Sequence, residues 1–331
     1  MNGRAKVVIT DFIKGELHQE ERILSDLADV SALDALNEDD LVGKIEDADA
    51  IMMYHFLSIT EKTIRKLQRC KLIVRCGVGY DNVEAAAARR LGIPVANVPD
   101  YGTEEVADSA IGLSLSLGRG SHFLNSRLRN NRGPWTYAQA GSIKRLRDRV
   151  FGIVGLGRIG SATALRAKAL GMKVLFYDPY VPDGKDKSLG VTRVESLEGL
   201  LEQSHIVSLH CFLSEETHHL INAETIALMP RGSFLVNTAR GGVVDAEAVL
   251  AAIESGHLEG AGLDVLKQEP PDDFHPLIAA WRDPEHPAHD RVIVNPHSAF
   301  YSDEGLLDMR TKGSENCRRV LLGDAPRNVV N

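Results

Sequence analysis

The sequence has few cysteines and no long apolar segment. Its four cysteines, Cys70, Cys76, Cys211 and Cys317, lack the CxxC spacing of zinc sites and redox motifs, so we expect reduced, structural thiols in a reducing compartment. No apolar run approaches the ~18–20 residues that a membrane-spanning helix needs. The first residues lead into a short Val/Ile strand rather than an apolar leader. These absences predict a cytoplasmic protein.

The sequence also lacks an excess of positive charge. It has 38 Lys and Arg residues against 46 Asp and Glu residues, a formal net charge of -8. That balance argues against extended binding to nucleic-acid phosphates. The hydrophobic content of 44% and charged content of 25% are typical of a globular protein. Because 331 residues exceed what one hydrophobic core usually organises, we expect two domains.

Short β-rich runs alternate with helical stretches along most of the chain. In its first part, the predicted strands are residues 6–10, 50–54, 72–75 and 94–97, and the predicted helices are residues 60–69 and 83–90. A long helix is predicted over residues 103–117. Beyond it, the predicted strands are residues 150–154, 173–177, 205–209, 234–237, 262–265 and 292–295, and the predicted helices are residues 161–170, 222–229 and 246–254. This alternation predicts an α/β fold in which helices cover parallel sheets.

A glycine motif, Gly155-x-Gly157-x-x-Gly160, follows the predicted strand 150–154 and precedes the predicted helix 161–170. Glycines at these places allow a tight turn, close backbone approach to a pyrophosphate and close packing of helix on strand. Amides at the start of the helix can bind the phosphate charge. Because the whole strand–turn–helix context is present, the motif predicts a dinucleotide-binding domain.

Asp178 ends the next predicted strand, about 20 residues beyond the glycines. A carboxylate there can accept hydrogen bonds from both ribose hydroxyls of NAD and repels the extra phosphate of NADP. The following Pro179 and Tyr180 supply no cation that would neutralise such a phosphate. We therefore expect NAD as the cofactor.

Three further segments follow the glycine motif. They are Val236-Asn237-Thr238-Ala239-Arg240-Gly241-Gly242-Val243-Val244-Asp245, Leu263-Asp264-Val265 through Glu269-Pro270, and Asn295-Pro296-His297-Ser298. In this order they resemble the D-isomer-specific 2-hydroxyacid dehydrogenase family. Within that family the chain is most similar to the C-terminal binding protein branch, in the segments Met53-Tyr54-His55, Leu72-Ile73-Val74-Arg75, Glu104-Glu105-Val106-Ala107-Asp108-Ser109, Leu175-Phe176-Tyr177-Asp178-Pro179-Tyr180 and His218-His219-Leu220-Ile221-Asn222. The resemblance covers nearly the whole chain and implies two Rossmann-like or flavodoxin-like parallel-sheet domains separated by a cleft.

Three residues of these segments form the chemical core of the family. Reduction of a 2-oxo acid needs a carboxylate anchor, a hydride donor at the carbonyl carbon and a proton donor at its oxygen. Arg240 can bind a carboxylate through its planar guanidinium and polarise the neighbouring carbonyl. His297 can donate a proton during reduction and accept one during oxidation. Glu269 can orient the imidazole and stabilise its protonated form.

The resemblance implies further contacts. Cofactor contacts are implied for Val106, Gly155, Gly157, Arg158, Ile159, Gly160, Asp178, His210, Thr238, Ala239, Arg240 and Asp264, the last near the nicotinamide carboxamide. Substrate contacts are implied for Tyr54, His55, Arg75, Cys76, Gly77, Val78, Gly79 and Phe300, with the amides of residues 76–79 on the substrate carboxylate. For Arg75, a structural ion pair is the alternative. Phe300 stands where the C-terminal binding protein branch has tryptophan, so it keeps an apolar wall, leaves more space and loses the indole donor.

Other functions use the same architecture. An NAD(H)-sensing, corepressor-like interaction protein of the C-terminal binding protein type is the alternative from a different class, although the long tail of its animal members is absent and all three catalytic residues remain. Phosphoglycerate dehydrogenase and formate dehydrogenase are alternatives among the enzymes. The chain lacks an obvious appended regulatory domain, and formate enzymes normally have glutamine in place of Glu269.

Metal catalysis has little support. The chain has a histidine-rich stretch formed by His275, His286, His289 and His297, but no HExxH or paired CxxC accompanies it. Loop histidines together with one catalytic histidine explain this stretch better, and we expect no metal.

The sequence thus predicts an NAD(H)-dependent D-2-hydroxyacid dehydrogenase. We expect a discontinuous substrate domain at residues 1–118 and 298–331 and a cofactor domain at residues 119–297, with the cleft closing on NADH and a small 2-oxo acid. The resemblance also implies a homodimer built through the cofactor domain. Glyoxylate, hydroxypyruvate, pyruvate and longer apolar 2-oxo acids offer the same reacting group, so the sequence leaves the acid open.

Overall fold

Twelve strands and thirteen α-helices lie within residues 3–331, the part of the chain that the computed structural model describes. The strands are β1 (Ala5–Ile9), β2 (Ala28–Ala32), β3 (Ala50–Met53), β4 (Ile73–Arg75), β5 (Val95–Asn97), β6 (Val150–Val154), β7 (Lys173–Tyr177), β8 (Thr192–Arg193), β9 (Ile206–Leu209), β10 (Ser233–Asn237), β11 (Leu258–Leu263) and β12 (Val292–Val294). The helices are α1 (His18–Leu24), α2 (Glu61–Ile64), α3 (Ala85–Arg90), α4 (Thr103–Arg119), α5 (Ser121–Arg129), α6 (Arg158–Ala169), α7 (Lys185–Leu189), α8 (Leu197–Gln203), α9 (Ala223–Leu228), α10 (Ala246–Glu254), α11 (Pro276–Arg282), α12 (Pro287–Arg291) and α13 (Asp303–Leu321).

Contacts divide the chain into two units. The first comprises the residues up to Gly102 together with Tyr301–Asn331, and the second comprises Thr103–Phe300. These limits differ from the expected boundaries after residues 118 and 297. The difference arises because Leu113 and Leu117 of α4 pack in a hydrophobic cluster with strands and helices of the second unit.

The first unit has a five-stranded parallel sheet in the order β2-β1-β3-β4-β5. Every residue of β3, β4 and β5 is buried, as expected for parallel strands with helices on both faces. Helix α13 lies against β3 and β4, and Gly313 permits the close approach. A Cβ on Gly313 would lie 2.8 Å from the Cys76 sulfur and 2.9 Å from the Met52 methyl group.

The second unit has a seven-stranded parallel sheet in the order β12-β11-β10-β9-β6-β7-β8. The chain runs outward from β6 in one direction through β7 and β8 and in the other through β9 to β12. The strand order therefore reverses at β6. In doubly wound folds, ligands bind at the carboxyl ends of the strands beside such a reversal.

Strongly periodic segments have the expected limits: β6, β7 and α10 coincide with the predicted residues 150–154, 173–177 and 246–254. The predicted helix 60–69 is wrong in length, because α2 ends at Ile64 and the chain then turns so that the Gln68 amide donates to the Glu46 carbonyl. Strands β2 and β8 lie at sheet edges, and their polar, alternating sequences gave no strand prediction.

Three findings concern residues 3–331 as a whole. No helix in this range is long and apolar enough to cross a membrane. The same residues contain no group of three or more His, Cys, Asp or Glu side chains that could hold a metal ion. The four cysteines are free thiols.

A buried ion pair joins two helices of the first unit. The fully buried Glu20 carboxylate accepts from Arg310 Nε at 2.7 Å and Nη2 at 2.5 Å. Arg310→Ala would leave this carboxylate uncompensated, so we expect the free energy of unfolding to fall by about 3 kcal/mol. Arg318→Ala is the matched control on α13, because its partner Asp26 is 60% exposed and should yield a much smaller loss. Urea unfolding followed by circular dichroism measures both variants, and equal losses would contradict this account.

Candidate active site

The glycine loop lies between β6 and α6 at the carboxyl edge of the second sheet. Gly155 has φ = 91°, and a Cβ there would lie 2.8 Å from the Cys211 amide nitrogen. A Cβ on Gly160 would lie 2.0 Å from the Gly155 carbonyl oxygen. A Cβ on Gly157 would meet nothing within 4 Å. Two glycines therefore allow close packing of the loop, and the third borders open space at the start of the helix.

Arg158 and Ile159 are the first residues of α6, and Gly157 is its N-cap. Amides of the first helical turn have no acceptor within the helix. Their N–H groups and the helix dipole suit a negatively charged pyrophosphate. This placement is consistent with the predicted cofactor role of both residues, which stays a prediction.

Asp178 directly follows β7 and is fixed beside the glycine loop. Its Oδ2 accepts from the Leu156 amide at 2.8 Å, and its Oδ1 accepts from the Tyr180 amide at 2.9 Å. Each carboxylate oxygen has a further lone pair with which it can accept from a ribose hydroxyl. The structure thus orients the acidic group that the sequence singled out.

Two buried polar atoms lie beyond neighbouring strands of the same edge. His210 follows β9, and its Nε2 hydrogen-bonds with Ser208 Oγ at 2.9 Å, while its buried Nδ1 has no partner within the chain. Burial lowers the pKa of His210 to about 3, so the ring is neutral at physiological pH. Thr238 follows β10, and its buried hydroxyl also has no partner within the chain. Because polar atoms are costly to bury unpaired, both are candidates for contacts with a ligand at this edge.

Arg240 is presented by a tight turn after β10. The Asn237 side chain accepts from the Ala239 amide at 3.0 Å and donates to the Arg240 carbonyl at 2.9 Å. The next residue, Gly241, is packed so closely that its Cβ would lie 2.0 Å from the Leu266 carbonyl carbon. The turn therefore requires glycine at this position and fixes the backbone of Arg240.

His297 and Glu269 form a hydrogen-bonded pair. His297 Nδ1 lies 2.7 Å from Glu269 Oε2, and Glu269 Oε1 accepts from the Leu266 amide at 2.8 Å. Because both Glu269 oxygens form hydrogen bonds, the carboxylate is held in place and fixes the Nδ1 edge of the imidazole. The Phe300 ring meets the His297 ring edge-on, with centroids 5.9 Å apart. The sequence-predicted acid/base pair is therefore brought together.

Asp264 fixes the loop that contains His297. Its buried carboxylate accepts from the Ser298 amide at 2.9 Å and the Ala299 amide at 3.0 Å, and its carbonyl accepts from the His297 amide at 2.8 Å. Burial raises the pKa of Asp264, whereas the two amides oppose that rise. His297 has φ = 50°, a conformation that this set of bonds holds in place. The sequence reasoning assigned Asp264 to the nicotinamide and missed this positioning role.

The predicted carboxylate loop of the first unit follows β4. The Cys76 amide donates to the Met53 carbonyl at 2.7 Å, and the Gly77 amide donates to the Arg75 carbonyl at 2.9 Å. Gly77 has φ = 156°, and its Cβ would lie 1.6 Å from Arg75 Nη1. The buried Arg75 guanidinium therefore occupies space that only glycine leaves open. Val78 and Gly79 complete the loop, and Asn97 donates to the Val78 carbonyl at 2.7 Å.

Asp11 is a residue that the sequence reasoning missed. It follows β1 and is fully buried; its Oδ1 accepts from the Tyr54 amide and its Oδ2 from the Phe56 amide, each at 2.8 Å. These bonds fix the turn that contains His55. An acidic residue directly after an apolar strand was the available signal.

Tyr54 and His55 differ in their surroundings. The Tyr54 side chain is fully buried and stacks on Phe12 with centroids 5.3 Å apart, and burial raises the pKa of its hydroxyl. The backbone of Tyr54 is also engaged, because its amide donates to Asp11 and its carbonyl accepts from Asn82 at 2.9 Å. The His55 ring contacts Phe12 and Phe56, with centroids 4.8 and 4.7 Å away. Both assignments stay predictions.

Comparison with known families gives a match over most of the second unit. Residues 111–299 match "D-isomer specific 2-hydroxyacid dehydrogenase, NAD binding domain". The chain belongs to this family. The strand order and the glycine loop described above lie in the matched region.

Two curated proteins that are similar in sequence to this chain have different names. D-3-phosphoglycerate dehydrogenase of Methanocaldococcus jannaschii is 35% identical over 327 residues, which cover 98% of this chain and 59% of that protein. C-terminal-binding protein 1 of Caenorhabditis elegans is 33% identical over 315 residues, which cover 93% of this chain and 42% of that protein. The chain thus spans about half the length of these relatives.

A solved structure is similar to this chain over nearly its whole length. The D-lactate dehydrogenase of Aquifex aeolicus, crystallised with NAD and lactic acid, has a TM-score of 0.86 and 29% sequence identity. The match covers 96% of each chain. This likeness supports the two-sheet α/β architecture.

The cofactor of the matched domain is NAD, and residues of the second unit fit it. Asp178 offers acceptors for ribose hydroxyls, Gly157 leaves space at the start of α6, and His210 and Thr238 offer unpartnered buried polar atoms. Ala239 and the half of α4 that contains the buried Val106 belong to the same unit.

The glycines allow stability and cofactor binding to be tested separately. Gly160→Ala places a methyl group against the Gly155 carbonyl, so we expect a loss of about 1–3 kcal/mol in the free energy of unfolding. Gly157→Ala meets no protein atom, so the fold should keep its stability. NADH should nevertheless bind about tenfold more weakly, because the methyl group blocks backbone approach to the pyrophosphate. Thermal unfolding and NADH fluorescence titration measure the two effects, and full NADH affinity in Gly157→Ala would contradict the assigned site.

Proposed function

We propose that this protein is an NAD-dependent D-2-hydroxyacid dehydrogenase that interconverts a small 2-oxo acid and the corresponding D-2-hydroxy acid. The observation that carries the proposal is the His297–Glu269 hydrogen bond of 2.7 Å in a domain of this family. A carbonyl reduction needs a group that exchanges one proton near neutral pH, and a histidine oriented by a carboxylate meets that need. The fixed backbone of Arg240 adds a cation suited to the substrate carboxylate.

Each residue has one task in this proposal. NADH, when bound, supplies the hydride that reduces the carbonyl carbon. Arg240 binds the carboxylate and polarises the carbonyl, so negative charge that develops on its oxygen is stabilised. His297 Nε2 donates the proton to that oxygen, since Nδ1 is directed at Glu269. Glu269 stabilises the imidazolium form before transfer, and the same groups act in reverse during oxidation.

The remaining assignments are also proposals. We assign the first unit to substrate binding and the second to the cofactor. Of the loop 76–79, the amides of Val78 and Gly79 are the ones we assign to the substrate carboxylate, because the Cys76 and Gly77 amides already donate to the Met53 and Arg75 carbonyls. The small acids of the named relatives, phosphoglycerate and lactate, support a small 2-hydroxy acid as substrate. A cytoplasmic location, expected from cysteine usage, belongs to the same proposal.

Removal of the acid/base residue tests the reaction. We expect His297→Ala to lower kcat for NADH-dependent reduction of 2-oxo acids by about 10²–10⁴-fold. NADH affinity should be retained, because His297 is not assigned to cofactor binding. Initial rates with glyoxylate, hydroxypyruvate, pyruvate and a longer apolar 2-oxo acid provide the measurement. Glu269→Gln should cause a smaller loss, because it keeps the side-chain size and removes the charge.

A second histidine–glutamate pair supplies the matched control. His286 Nε2 lies 3.1 Å from Glu254 Oε1, and we assign no chemistry to this pair. His286→Ala should therefore keep the wild-type kcat. Absence of turnover with every acid, together with NADH-dependent binding of a specific protein partner, would replace the enzyme by an NAD(H)-sensing interaction protein.

We propose a homodimer built through the second unit. Helix α5 has no fully buried residue although it contains Phe123, Leu124 and Leu128. The segment after it exposes 89% of Trp135 and 91% of Tyr137. Large exposed aromatic side chains are enriched at protein interfaces. These features support residues 121–140 as the contact with a second copy.

Light scattering tests this interface. The wild-type protein should have twice the mass of the chain, and Trp135→Ala/Tyr137→Ala should shift it toward the monomer because the aromatic anchors are removed. Phe274→Ala is the control, since Phe274 is similarly exposed in the second unit but outside this segment. A monomeric wild type would refute the dimer, and an unaffected double variant would exclude this segment as its interface.

A further inference from the structure

A second carboxylate lies close to Asp178. Tyr180, whose amide donates to Asp178 Oδ1 at 2.9 Å, donates its hydroxyl to Glu216 Oε2. Glu216 lies in the loop of residues 211–217 that follows β9. One tyrosine thus contacts two acidic residues from different loops, the first through its backbone and the second through its side chain.

The loop of residues 211–217 is fixed beside the glycine loop. A Cβ on Gly155 would lie 2.8 Å from the Cys211 amide nitrogen, so the two loops are in direct contact. Burial raises the pKa of Cys211 to about 11, and the Asp178 charge contributes to the rise. The hydrogen bond to Glu216 is the main cause of a raised Tyr180 pKa, to which the Asp178 charge also contributes. Asp178 and Glu216 therefore both act on Tyr180, which contacts the first through its amide and the second through its hydroxyl.

A nearby cation is already engaged. Arg193 of β8 pairs with Asp183 at 3.0 Å and donates to the Val181 carbonyl. Its guanidinium carbon also lies 5.7 Å from the centre of the Phe176 ring. Binding of an extra phosphate by Arg193 would require these contacts to break.

We propose that Tyr180 holds Glu216 as a second anionic determinant beside Asp178, so that two carboxylates together exclude the 2′-phosphate of NADP. The inference rests on NAD binding to the second unit and is independent of the substrate. Asp178 accepts from the ribose, whereas Glu216 contributes through its charge and is positioned by the Tyr180 hydroxyl. Its removal should therefore improve NADPH binding with little effect on NADH.

The expected size of the effect of Glu216 on NADPH affinity follows from Coulomb's law. A phosphate with a charge near −2, placed about 6 Å from one carboxylate in a water-like medium, loses about tenfold in affinity. Because Glu216 is exposed, salt screens this repulsion within a Debye length of about 10 Å at 0.1 M. An effect of charge should thus shrink at high ionic strength, whereas an effect of shape should not.

The neighbouring glutamate provides a matched control. Glu215 is also exposed, precedes Glu216 in the same loop, and is not bonded to Tyr180. We would titrate the full chain and its Glu216→Gln and Glu215→Gln variants with NADH and NADPH, following cofactor fluorescence at low and high salt. Glu216→Gln should bind NADPH about tenfold more tightly than wild type at low salt and about twofold more tightly at high salt. NADH affinity should change less than about twofold in both variants.

Two more variants test the hydrogen bond between Tyr180 and Glu216 and the combined effect of the two carboxylates. Tyr180→Phe removes the bond to Glu216 but keeps both charges, so it should give a smaller gain for NADPH than Glu216→Gln. Asp178→Ser/Glu216→Gln should bind NADPH more tightly than Asp178→Ser alone. Equal NADPH affinities for Glu216→Gln and Glu215→Gln, with intact NADH binding, would overturn the inference. Failure of the wild type to bind NADH would instead overturn the cofactor site itself, and a wild type that binds NADH without reducing any acid would overturn only the proposed reaction.

Discussion

Asp264 lies at the end of β11, and its carboxylate accepts hydrogen bonds from two backbone amides of the loop after β12. The backbone carbonyl of Asp264 accepts a further hydrogen bond from the His297 amide. One residue thereby fixes the backbone on both sides of the proposed acid/base histidine, His297. Leu266, two residues further on, donates to Glu269, so the same short segment also orients the partner of the histidine. The imidazole can be held in one geometry because its carboxylate partner and its own loop share this support. The proposed reaction centre of the second unit depends on these few hydrogen bonds.

The cofactor edge of the same sheet shows the opposite arrangement. Here the Thr238 hydroxyl and His210 Nδ1 are buried without a partner in the chain. Each unpaired buried polar group costs a folded protein about 1–3 kcal/mol of stability, and an additional interaction can offset that cost. We propose that polar atoms of a bound nucleotide supply that interaction. The contrast supports the proposed cofactor contacts at this edge and a structural role for the Asp264 region.

Local patterns made the central part of the fold predictable. Neighbouring residues in the sequence define the apolar runs of β6 and β7 and the spacing of Gly155, Gly157 and Gly160. These features were therefore located correctly from the sequence. The support provided by Asp264 joins residues 34 apart, and the bond from the Tyr54 amide to Asp11 joins residues 43 apart. Such pairs follow from tertiary packing, which periodicity does not encode. Helix α4 was predicted correctly as a helix, but only its packing showed to which unit it belongs.

The absence of a Cβ on Gly313 has a consequence for the chemistry of Cys76. The glycine lets α13 close over the Cys76 sulfur, and burial raises the pKa of this thiol to about 12. The thiolate, the form that reacts with oxidants and alkylating agents, is therefore scarce at pH 7. We therefore expect this cysteine of the proposed substrate loop to resist oxidants that modify exposed thiols.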